Sequence, residues 1–189
     1  MDAFLLSFVV IFVAELGDKS QLMALAFATR YRAIHVLSGI TLATLLVHLG
    51  SVVLGQAVGA VFPTRAIAFA AGSAFFAFAV WTLRGDSLGE KDKARAARAA
   101  GSIVLAVGTA FFLAELGDKT MLATVTLATR EEAIGTWLGS TAGMVVADAI
   151  AIVIGKYLGT RLPERVIRYG AAAAFVVFGA ILIVGALAS

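Results

Sequence analysis

The chain has 189 residues, of which 61% are hydrophobic and only 14% charged, with a mean hydropathy of +0.98. Those values lie outside the range of ordinary soluble domains and identify lipid as the solvent for most of the chain. The net charge of +3 does not point to nucleic acid, because the basic residues fall in short loops between apolar runs. The absence of cysteine excludes disulfides, thiolate metal ligands and cysteine nucleophiles.

Taken in chain order, the opening Met1-Asp2-Ala3-Phe4 lacks the basic segment of a secretory signal, and its apolar run continues past Gly17 to about Thr29. A retained membrane span near 3–29 is expected. Arg30 and Arg32 end it, a second span follows near 34–61, and Pro63 and Arg65 separate that from a third near 66–84. A mixed-charge linker occupies 85–100. Three further spans are expected near 102–129, 133–159 and 166–187. The fold class predicted is all-α, a polytopic membrane protein of six transmembrane helices.

Sliding the chain against itself by 100 residues aligns 1–89 with 101–189 without a gap, and 27 of the 89 pairs are identical. Duplication is the economical explanation. The first three-helix repeat is therefore 1–84, the linker 85–100 and the second repeat 101–189, within one integral membrane domain. Three is an odd number, so the second repeat must enter the membrane from the opposite side, giving an inverted repeat. Eleven Lys and Arg residues lie in the loops of one side, and only Arg65 and Arg130 on the other. The positive-inside rule then places the 84–100 loop in the cytoplasm and both termini outside, in a bacterial inner membrane.

Glu15, Asp18 and Lys19 sit about halfway along the first span, and Glu115, Asp118 and Lys119 repeat them in the fourth. A charge near the bilayer centre costs about 2.5–3.5 kcal/mol even on lenient insertion scales, so it normally faces the bundle interior and marks an ion or proton path. Glu and Asp at i and i+3 share one helix face. Inversion would bring the two pairs together as a hard, oxygen-rich cage for a divalent cation such as Ca²⁺ or Mn²⁺. Protons and a metal would compete for those oxygens, as an antiporter requires. Gly17 and Gly117, inside the motifs, predict a break or bend in each span. The competing structural reading pairs Glu15 with Lys19 and Glu115 with Lys119 at i, i+4, which leaves both aspartates uncompensated. Lys19 and Lys119 are read as salt-bridge switches or interfacial anchors.

A second wall is expected from the second and fifth spans. Ser38, Thr41, Thr44, His48 and Ser51 recur at helical spacing, and Thr141, Met144 and Asp148 follow the same positions in the other half. His48 and Asp148 can exchange protons and are read as a gate or relay, with a helix-packing hydrogen bond as the plainer alternative. Ser20 and Thr120 offer oxygen ligands or bond back within their helix. Gln21 against Met121, and Thr44 against Met144, break the symmetry; a softer second half would favour Mn²⁺, and packing is the alternative for the methionines. Gly55-x-x-x-Gly59 and Gly155-x-x-x-Gly159 are faces for close helix approach. Phe75, Phe76, Phe78, Trp81, Phe175 and Phe178 read as lipid-facing or core filler.

The twin motifs Glu15-Leu-Gly-Asp-Lys-Ser20 and Glu115-Leu-Gly-Asp-Lys-Thr120, on two three-helix repeats, resemble the GDT family of calcium/manganese:proton antiporters. The resemblance spans essentially the whole chain. It implies cation/proton exchange that exports Mn²⁺ or Ca²⁺ from the cytoplasm, with Glu15, Asp18, Glu115 and Asp118 as the metal site and no cofactor beyond the transported ions. Met121 departs from the glutamine often found there. Secondary transport by alternating access is the leading expectation; a passive cation channel and an exporter of a small basic organic solute are the alternatives. No clustered histidines or nucleophile suggest an enzyme. A homodimer is left open.

Overall fold

The computed structural model describes residues 2–84, 102–155 and 164–188. The expected linker 85–100, Lys156, Arg161, Pro163 and Gly159 of the second small-residue face lie outside the described residues. Among the described residues the structure is all helical. The first repeat contains α1 (Ala3–Glu15), α2 (Lys19–Ala28), α3 (Ala33–Val61) and α4 (Thr64–Arg84), and the second α5 (Ile103–Glu115), α6 (Lys119–Ala128), α7 (Ala133–Val153) and α8 (Glu164–Ala188).

The spans expected near 3–29 and 102–129 are each two helices. Both break at Leu-Gly-Asp, and Gly17 and Gly117 adopt φ of 75° and 78°, the left-handed region that an L side chain avoids. At 13 and 10 residues, neither half of either pair would cross a hydrocarbon core of about 30 Å alone. Four helices, α3, α4, α7 and most of α8, are long and apolar enough to do so. The breaks expected at Gly17 and Gly117 are present, and the described residues form four continuous helices and two interrupted pairs.

The halves interlock rather than sit side by side. α1 packs along α7, α5 packs along α3, α3 touches α7, and α4 lies against α8. Small residues let the backbones approach. Gly143 faces the carbonyl of Phe8 on α1, where an added Cβ would sit only 2.6 Å from that oxygen, and Gly55 and Gly59 lie against the backbone of α6 and its following turn. Gln56 fixes that junction by donating to the carbonyls of Ala128 (2.6 Å) and Glu131 (2.9 Å), which the helix end leaves without an internal partner. The first small-residue face therefore packs as expected, and Gly155 of the second lies against Leu25.

The aromatic residues divide. Phe75, Phe78 and Phe175 are buried between α4 and α8, with ring centroids 5.8–6.0 Å apart, whereas Phe76 is exposed. Leu42, Leu46, Val53, Val177 and Ile181 turn outward, as side chains solvated by lipid should. Gly55→Leu should cost about 1–3 kcal/mol by forcing α3 off α6. Gly50→Leu, where an added Cβ meets nothing within 4 Å, should leave stability unchanged. Thermal unfolding of both variants in detergent checks the contrast.

Candidate cation site

The two breaks carry the charges. Glu15 is the last residue of α1 and Asp18 is the N-cap of α2; Glu115 and Asp118 hold the same places in α5 and α6. The i, i+3 spacing therefore works through a turn and not along one helix face. The Asp18 and Asp118 amides donate to the Glu15 and Glu115 carbonyls at 3.0 and 3.1 Å. Each break thus sets a glutamate at a helix C-terminus, where the carbonyls favour cations, and an aspartate at the N-terminus of the next helix.

All four carboxylates are buried, as are Lys119, His48 and Asp148. The lysines do not pair with the glutamates of their own motifs. Lys19 Nζ lies 2.7 Å from Asp118 Oδ1, and Lys119 reaches Asp18 Oδ1 in the reciprocal bridge. This overturns the i, i+4 pairing, and the reason is the break: with Glu15 and Lys19 on different helices, the ammonium is no longer one turn from its own glutamate. Glu15 lies within electrostatic reach of Asp18, Glu115, Asp148 and Lys119. The structure therefore brings the four expected ligands and Asp148 into one neighbourhood. No three of them close on a single point as a finished metal cage among the described residues.

Several oxygens in that neighbourhood carry no hydrogen bond from the described residues: both of Glu15, both of Asp148, Glu115 Oε1 and Asp118 Oδ2. Buried polar atoms are ordinarily satisfied, so unsatisfied carboxylate oxygens at this density make this neighbourhood the candidate place for cations or protons. The flanking hydroxyls differ between halves. Thr120 Oγ1 donates to Glu115 Oε2 at 2.9 Å, whereas Ser20 donates to Asp18 Oδ2 through both its amide and its hydroxyl at 3.3 Å.

Gln21 ties the first break to α7. It accepts from the Gly17 amide at 2.8 Å and donates to the Ala147 carbonyl at 3.0 Å. At the second break the Gly117 amide meets the sulfur of Met121, 3.1 Å away, where Gly17 has the amide oxygen of Gln21. On the second wall, Thr44 is buried and donates to Met144 Sδ at 3.3 Å, so two equivalent positions touch across the halves. His48, Thr141 and Asp148 are buried, while half-buried Thr41 and Ser38 spend their hydroxyls on the Leu37 and Ile34 carbonyls of their own helix. Sequence reasoning missed the crossed bridges and the Gln21 tether. The signal for the first was present, since mirrored halves that bring the two motifs together set each lysine near the opposite aspartate.

An apolar helical bundle that buries acids and lysines at two interrupted helices has the architecture of a membrane ion transporter. The chain belongs to the family described as divalent cation/proton antiporter GDT1, whose model matches residues 3–90 and 103–189. A Vibrio cholerae serotype O1 protein named "Putative manganese exporter" is 33% identical over 172 residues, covering 89% of this chain and 84% of that protein. A GDT1-like protein of Synechocystis sp. is 31% identical over 185 residues, covering 88% and 89%. No solved structure matches the chain. The protein is a membrane transporter of divalent cations and not an enzyme.

At Gly117 an added Cβ meets no atom within 4 Å, yet φ is 78°. Gly117→Ala should therefore lose about 1–2 kcal/mol through backbone strain alone. A lowered thermal midpoint in detergent, largely recovered in Gly117→Asn, would show that the left-handed turn holds the second break.

Proposed function

We propose that this chain exports Mn²⁺ from the cytoplasm in exchange for protons by alternating access. Glu15, Asp18, Glu115 and Asp118 hold the ion between two inverted repeats. The observation that carries the reading is the burial of two acidic helix breaks, one from each half, in one electrostatic neighbourhood with unsatisfied oxygens. Counting each interrupted pair as one span gives six. The basic loops then place the termini outside and the linker in the cytoplasm of a bacterial inner membrane.

Manganese is favoured over calcium by two observations. A relative covering most of the chain is named for manganese export. Two thioethers come close to the second break and the second wall, Met121 Sδ at the Gly117 amide and Met144 Sδ at the Thr44 hydroxyl, a softer lining than the all-oxygen sites of calcium. Asp148, within electrostatic reach of Glu15, and its repeat partner His48, buried at the equivalent position of α3, are assigned to proton passage. Ser20, Gln21, Thr120 and Thr44 line or brace the breaks.

Exchange is tested by Mn²⁺ uptake into proteoliposomes under an imposed pH gradient. Flux should follow the gradient and be matched by proton movement. Flux that ignores the gradient would make the protein a channel, and inhibition by lysine-like amines would mark an organic-cation exporter. Asp18→Asn and Asp118→Asn should each lower exchange by about a hundredfold or more while leaving insertion intact. Wild-type rates in both variants would remove the site assignment.

A further inference from the structure

The motif lysines are the part of this charge cluster that exchange, as described so far, leaves without a task. Each crosses to the other repeat: Lys19 holds Asp118 at 2.7 Å, and Lys119 holds Asp18. The oxygens they occupy belong to the same aspartates assigned to the metal. An ammonium on one oxygen of a carboxylate and a divalent ion on the other repel each other where little water screens them, so each weakens the other's hold. Those aspartates cannot stand alone, since a carboxylate without compensation among apolar helices is strongly disfavoured.

We propose that Lys19 and Lys119 are tethered counter-cations that exchange places with the transported ion on Asp118 and Asp18. They thereby let the carrier complete the leg of its cycle that carries no metal. This rests on the antiport reading and adds to it what neutralises the site between one ion and the next. A lysine suits the task because its ammonium is a point charge on a flexible four-carbon stem, able to swing aside without unwinding a helix. Each bridge runs between repeats, so an arriving ion also loosens a link between the halves. The bridges differ in burial: 22% of the Lys19 side chain is exposed, against 3% of Lys119. Lys19 is therefore the better probe, because its side chain is the less closely packed of the two, while the aspartates are equally buried.

The test compares two fluxes in proteoliposomes holding the full chain. Mn²⁺/Mn²⁺ counterflow needs only the loaded carrier to move in both directions, whereas net exchange driven by a pH gradient needs the metal-free return. In Lys19→Met, net exchange should fall about tenfold or more while counterflow stays within about threefold of wild type. Calorimetry should show Mn²⁺ binding about tenfold tighter, because a competitor at high effective concentration has gone. Lys19→Arg, which keeps the charge, should restore most of the net flux. Lys119→Met should shift the ratio of the two fluxes in the same direction.

A purely structural bridge would lower both fluxes together and would not tighten binding. Proportional loss of the two fluxes, or unchanged net exchange in both methionine variants, overturns the proposal. Absence of Mn²⁺ counterflow in the wild-type protein would instead remove the antiport reading on which it rests.

Discussion

The structure depends on one constraint: ionised groups placed among apolar helices must be compensated by other charges. Here compensation comes from the opposite half of the chain. Lys19 answers Asp118 and Lys119 answers Asp18, so neither repeat can bury its own aspartate without the other. Interlocking of the halves follows the same logic, with α1 along α7 and α5 along α3 holding the two breaks together. The glycines of α3 and α7 permit it by letting backbones meet where any side chain would hold them apart.

The breaks solve a second problem. A continuous helix spends its carbonyls on itself and presents only side chains. Interrupting it at Gly17 and Gly117 frees backbone groups and sets one acid at each of four helix ends. The cost is a turn that only glycine adopts easily, and the return is four buried helix ends whose carboxylates share one neighbourhood.

Much of this was legible in the sequence. The apolar runs located the helices, the offset of 100 residues exposed the duplication, and glycine inside each acidic motif announced the interruption. The Gly55 and Gly59 face was readable from spacing, and it packs against α6 as spacing required. What sequence could not supply was distance across the repeats. Local spacing offered Glu15 to Lys19, one turn apart on a continuous helix, and the break removed that geometry. Helical periodicity likewise placed Thr41 with Thr44 and His48 on an inward stripe. Yet the Thr41 hydroxyl bonds back to Leu37, because a half-buried threonine finds its own helix carbonyl before any neighbour. Gln21 gave no local sign of a partner 126 positions away.

The difference between Gln21 and Met121 has a consequence for the energy landscape. In the proposed alternating access, two identical inverted halves would make the conformations open to either side degenerate, since exchanging the halves would convert one into the other. A glutamine stitched to Ala147 on one side and a thioether near Gly117 on the other lift that degeneracy. A hydrogen bond with a net worth of about 1 kcal/mol is enough to skew such populations severalfold. In the proposed cycle, Gln21 is thus one of the differences between the halves that set which way the carrier rests.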